Sequence, residues 1–165
     1  MTTVLNRDSI QVKRDLQKRV ENWVSEYCDA LEENFKQYSI NSYKRNLDNP
    51  TEVSKGYTSY YEEQLQKIED GTANLYKFVF KTGKKFHKVY FLQYEEANDY
   101  YNRKAGYTAG SVHCFIDKQT GQVYKPASWK APAKIVRFDL RLITDREFLF
   151  NPNNISWAGS HLYLR

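Results

Sequence analysis

LYKFVFKTGKKFHKVYFLQ, residues 75–93, is where the chain changes its hydrophobic period. Within it Tyr76, Phe78 and Phe80 alternate with Leu75, Lys77 and Val79. A period of two puts successive side chains on opposite faces of a strand, whereas a period near 3.6 lines one side of a helix. Thr82, Gly83 and Lys84 make a short turn, after which KFHKVYFLQ returns as an antiparallel partner.

Upstream of this stretch the pattern is helical. Leu16, Val20, Trp23, Val24, Tyr27, Leu31 and Phe35 recur at steps of three and four, which predicts a helix from about Asp8 to Tyr38. Asp8 and Gln11 have capping-box spacing at its start. SINSYKRNLDNPTEVSKG follows as a connection, with Pro50 and Gly56 as breakers. A second helix carries Tyr57, Tyr60, Tyr61, Leu65 and Ile68 on one face, with Ser59 and Glu62 spaced as a capping box. Two amphipathic helices joined by a loop make a helical hairpin.

Downstream the pattern is that of strands. EEANDYYNRKAGYTAG reads as a short helix or loop. SVHCFID, KQTG and QVYKPA form a second hairpin, whose loop wants Gly121 at positive φ. IVRFDLRLI gives a fifth strand, and HLYLR at the end a sixth. Helices first and antiparallel strands afterwards is an α+β order: an N-terminal helical hairpin packed on a mainly antiparallel sheet of five to six strands. No repeat or linker divides residues 1–165, so the expectation is one domain.

Charge divides the chain at the same place. Residues 1–73 carry 10 Lys/Arg and 13 Asp/Glu, while residues 74–165 carry 15 and 7. The helical part is thus acidic and the strand-rich part basic, within a net charge of +5. A polyanionic partner, nucleic acid or a nucleotide, would meet the second part. The long acidic helix offers a surface for self-association, and the 14 tyrosines suit both sheet faces and partner surfaces.

Several chemistries lack their residues. There is no GxxxxGK[ST] and no GxGxxG, and no HExxH or CxxC, so neither a cofactor nor a resident metal is expected. His113 and Cys114 are neighbours on an expected strand and should point to opposite faces, which separates a base from a nucleophile. Asp117 and Asp139 are the carboxylates whose convergence would allow a metal-dependent nuclease, but their spacing does not ask for one. The expectation is a non-enzymatic protein. Only Cys28 and Cys114 occur, and neither a signal-type segment nor a run of about 18 to 20 apolar residues is present. The chain therefore reads as cytoplasmic, with no membrane partner.

The densest unusual stretch is residues 111–146, with seven Lys/Arg against three Asp. At its centre YKPASWKAPAK places Trp129 between Pro126 and Pro132, with Lys125, Lys130 and Lys134 around it. Prolines bar a regular helix or central strand here. Trp129 then either stacks on a base while the lysines meet phosphate, or plugs the end of the core. Arg137 and Arg141 flank Asp139 on one face of the fifth strand, where they either grip phosphates or sandwich the aspartate. Lys125, Trp129, Lys130, Lys134, Arg137 and Arg141 form the candidate ligand-binding set.

VHCFIDKQTGQVYKPASWKAPAK resembles a block in small proteins of tailed phages, marine and cyanobacterial ones in particular. The shared block spans roughly residues 112–141, and beyond Lys134 IVRFDLR replaces a glycine-containing segment. The resemblance implies a viral accessory or virion-associated protein, in the host cytoplasm or the particle, and supplies no activity. Three functions follow as expectations: nucleic-acid binding through the basic segment, sequestration of cyclic or small nucleotide defence signals, and a structural or assembly role in the virion.

Overall fold

The computed structural model describes residues 2–163. A 47-residue helix, α1 (Thr2–Asp48), leads through a 3-10 turn, Ser54–Tyr57, into α2 (Thr58–Asp70). Five strands follow: β1 (Lys77–Thr82), β2 (Phe86–Glu95), β3 (Gly106–Asp117), β4 (Gln122–Tyr124) and β5 (Phe138–Asp139). They form one antiparallel sheet in the order β1-β2-β3-β4-β5. The chain closes with α3 (Ile143–Leu149) and a 3-10 turn, Ser160–Leu162. The α+β class read from the sequence is the class observed.

The apolar stripe of α1 is its buried face. Val20, Val24, Tyr27 and Leu31 are fully buried and Phe35 nearly so. They meet one face of the sheet, where Phe80, Val89 and Cys114 stand opposite one another across three strands. Leu140, Leu149, Ile155 and Leu162 close the same core from the C-terminal side.

α1 runs ten residues past the expected end at Tyr38. Its last turns pack Tyr43 against Tyr60 and Tyr61 of α2, and this pairing outweighs the weak periodicity of the segment. α2 packs on α1, so the sheet-contacting member of the hairpin is α1. Neither capping box forms. Asp8 lies inside α1, where Gln11 bonds Asp15 instead, and Tyr57 occupies the cap of α2 with no side-chain bond.

The C-terminal strands are shorter than the sequence suggests. β5 keeps only two of the nine residues of IVRFDLRLI, because the Asp145 carboxylate takes the Asp139 N–H at 2.8 Å and α3 begins at Ile143. No sixth strand forms from His161 to Tyr163. Ser160–Leu162 is a 3-10 turn, and residues 164–165 lie outside the described residues.

β3 bulges twice against β2. His113 is the extra residue between Cys114, opposite Val89, and Val112, opposite Tyr90. Alternation therefore fails there, and both His113 and Cys114 are buried, which corrects the expectation that they point apart. The second bulge falls at Gly110–Ser111, where a Cβ on Gly110 would come within 2.0 Å of the Phe91 ring. Gly121 closes the β3–β4 loop at φ 73°, as the sequence requires.

Candidate functional site

The face of the sheet turned away from α1 carries the basic charge. Lys81, Lys88, Phe115 and Tyr124 stand opposite one another across β1 to β4, in a row that alternates out of the core. The β1–β2 turn adds Lys84 and Lys85, held by the Gly83 N–H donating to the Phe86 carbonyl at 2.8 Å. A pocket of about 320 Å³ opens between this turn and Lys130, with Phe86 and Phe115 in its wall.

Among the described residues five lysines line the pocket, Lys81, Lys84, Lys85, Lys88 and Lys130, and no carboxylate does. Among the described residues the ion pairs are Lys55–Glu52, Lys67–Glu63, Arg103–Glu95 and Arg141–Asp139, so none neutralises these five. Aromatic rings take that place. The Lys88 ammonium lies 4.8 Å from the centre of the Trp129 ring and 5.8 Å from that of Phe115, and Lys85 lies 5.3 Å from Phe86. Like charges gathered over apolar walls build a positive potential that attracts anions.

Lys130 reaches the pocket because its loop is cross-braced. Ala127 and Ser128 donate backbone N–H groups to the Ala131 carbonyl, and Ala133 donates to that of Lys125 at 2.7 Å. The Ser128 hydroxyl oxygen accepts from the N–H groups of Lys130 and Ala131, each at 3.2 Å. Pro126 and Pro132 face each other across the two arms. The tip, Ser128–Lys130, folds over the outer face, where Trp129 meets Tyr90 at 5.7 Å between ring centres. Trp129 does not plug the core; it is 43% exposed.

The structure thus gathers two of the six candidates, Trp129 and Lys130. Lys125 turns to the C-terminal segment, with its ammonium 4.2 Å from the Tyr163 ring centre. Lys134 is exposed on the returning arm of the loop. Arg141 is clamped onto Asp139, its closest nitrogen at 2.7 Å, and these hydrogen bonds hold the Asp139 carboxyl below the usual range. Arg137 donates its backbone N–H to Val123, and its Nε and Nη1 are buried with no hydrogen-bond partner. The expected Arg-Asp-Arg face is therefore one ion pair with the second arginine apart. The lysines that the sequence reading left out of the set lie in KTGKKFHK, four in eight residues around a turn.

A second polar cluster sits in the core. The Ser156 N–H donates to His161 Nδ1 at 3.1 Å, which leaves the proton of the neutral ring on Nε2. That Nε2 donates to the Tyr27 hydroxyl at 2.6 Å. The Tyr27 O–H in turn donates to His113 Nε2 at 2.7 Å, and His113 Nδ1 faces the Trp157 carbonyl at 3.2 Å. One arrangement of protons satisfies all four bonds. Burial keeps both rings neutral, pulling His113 down to about 3 and His161 to about 4. Asn34 clamps the same segment to α1, donating to the carbonyls of Pro152 and Ile155 and accepting from the Trp157 N–H.

The cysteines and aspartates are likewise committed. Burial pushes the Cys28 thiol up to about 12 and Cys114 well above its ordinary value, so both stay protonated. Asp117 accepts from the N–H groups of Gln119 and Thr120 in its own turn. Among the described residues, no three of His, Cys, Asp and Glu gather in a way that could hold a metal ion. No helix among them is long and apolar enough to cross a membrane.

Residues 7–164 match the profile of a family of unknown function, DUF7717. The chain belongs to that family. No curated protein and no solved structure matches it. Family membership spans both the helical hairpin and the sheet, and it carries no activity. A functional reading therefore rests on the geometry of the pocket and the loop.

Proposed function

We propose that this protein is a non-enzymatic accessory protein, of the phage type that residues 112–141 resemble, and that it binds nucleic acid on the outer face of its sheet. The observation that carries the reading is the pocket of five lysines with aromatic walls and no carboxylate. Ammonium groups on a sheet meet phosphate oxygens, and exposed rings beside them meet bases. The site differs from the basic segment read in the sequence, since the β1–β2 hairpin, strands and turn together, supplies four of its five lysines.

Phosphate contacts release counterions, so oligonucleotide affinity should fall steeply with salt. Fluorescence anisotropy between about 50 and 200 mM salt tests this; each single-strand phosphate contact contributes a slope near −0.7. A flat salt dependence removes the reading.

The pocket volume of about 320 Å³ favours a second reading, a sponge for cyclic or small nucleotides. A nucleotide held well above its dissociation constant should then raise the melting temperature, by an amount that grows with its concentration. A panel of cyclic nucleotides that leaves melting unchanged excludes it.

A further inference from the structure

Trp129 lines one pocket and carries a lysine of another over its ring. That lysine is Lys88, which lines the lysine pocket, as does Lys130, the residue after Trp129 in the chain. Trp129 also lines a slot of about 290 Å³, together with Ser111, Val112, Pro126, Ala127 and Ser128. Among the described residues no charged one lines this slot. It is a shallow, open site, where Ser111 and Val112 at the second bulge of β3 meet the proline-braced loop.

An uncharged slot walled by an indole, beside a cluster of free ammonium groups, matches the two halves of a nucleotide. A nucleobase is a flat ring that gains by stacking on an aromatic face and tolerates small neighbours. Its phosphates need cations a few ångströms away. Ser128 supplies a polar handle at the slot. Its oxygen already accepts two backbone N–H groups, which leaves its hydroxyl proton free to donate to a base carbonyl. A base paired within a duplex presents only its edge and cannot place its ring against Trp129.

We infer that the slot beside Trp129 takes one unpaired base of a single strand, whose flanking phosphates lie on Lys81, Lys84, Lys85, Lys88 and Lys130. This rests on the nucleic-acid reading above and narrows it to single strands. Trp129 supplies base stacking, and the lysines supply salt-dependent affinity that is blind to sequence. Duplex reaches the lysines alone.

The test is anisotropy with a labelled oligothymidylate of about 12 nucleotides, within the usual range of site sizes, and with a duplex of equal length. Three full-length chains are compared: wild type, Trp129→Ala and Trp129→Phe. The expected result is single-strand binding roughly tenfold or more tighter than duplex binding. Trp129→Ala should lose about tenfold on the single strand with an unchanged salt slope, and Trp129→Phe should stay within a few-fold of wild type. Steep salt dependence with equal affinity for both forms, or with no effect of Trp129→Ala, overturns the slot and leaves nucleic-acid binding standing. Absence of salt-dependent binding to either form overturns both. Thymidine monophosphate is the remaining arm: competition as strong per nucleotide as the oligomer overturns the strand, and weak competition supports it.

Discussion

The two faces of the sheet handle polar groups in opposite ways. On the face against α1, Tyr27 and His113 are buried and His161 half-buried, and every ring nitrogen of these two histidines has a partner; the Nε2 of buried His87 is the exception on that face. On the outer face the five pocket lysines have no acidic partner among the described residues. A buried polar network contributes to stability only when it is complete, while exposed like charges cost some stability and gain a field that attracts anions. The inner face is thus built to hold the fold, and the outer one is left unsatisfied toward a ligand. Mutations should separate the two.

The largest effect should come from the inner network. His113→Ala removes the acceptor of the Tyr27 hydroxyl and opens a cavity, and it should cost about 3 kcal/mol or more in urea unfolding. Acid should attack the same place. The unfolded chain protonates its histidines near 6.5, while folded His113 and His161 resist until about 3 and about 4. Their contribution is therefore complete above pH 6.5 and is lost as pH falls toward 4, at up to about 1.4 kcal/mol per pH unit for each ring. Melting temperatures from pH 7 down to 4 should fall accordingly, and a flat profile would mean that the network is not formed.

Gly110→Ala comes next. Its methyl would meet the Phe91 ring, and the expected cost is about 1 to 3 kcal/mol in urea unfolding. The smallest stability change belongs to the surface. Arg141→Ala breaks an exposed pair with Asp139 and should cost below about 1 kcal/mol, leaving the salt slope of binding untouched. A drop in slope for Arg141→Ala would move the phosphate site to β5 and break the contrast between the faces.

Much of this architecture is legible in the sequence. The stripe from Val20 to Phe35, the alternation of residues 76–80 and the glycine in KQTG each report a local rule that the fold obeys. The misses are tertiary. Nothing local shows that Tyr43 will find Tyr60 and Tyr61 and carry α1 on to Asp48. Nor does local pattern show that Asp145 will take the Asp139 N–H and end the last strand. The braced loop around Trp129 was readable from its prolines, but its landing place was not. KTGKKFHK was visible as a lysine cluster, and it becomes a site only when Lys130 arrives from more than forty residues away. The Tyr27–His113–His161 network had no signal at all, since a bulge and a C-terminal turn create it.

The measurement that bears most directly on the outer face is the salt slope of single-strand binding for wild type and for the triple variant Lys84→Ala, Lys85→Ala and Lys130→Ala. All three lysines are exposed, so folding should change by no more than about 0.5 kcal/mol per site. Five engaged phosphates give a wild-type slope of roughly −3.5, and the variant should lose about 2 of it. A wild-type affinity that barely changes with salt, or a variant that keeps the full slope, would contradict the account.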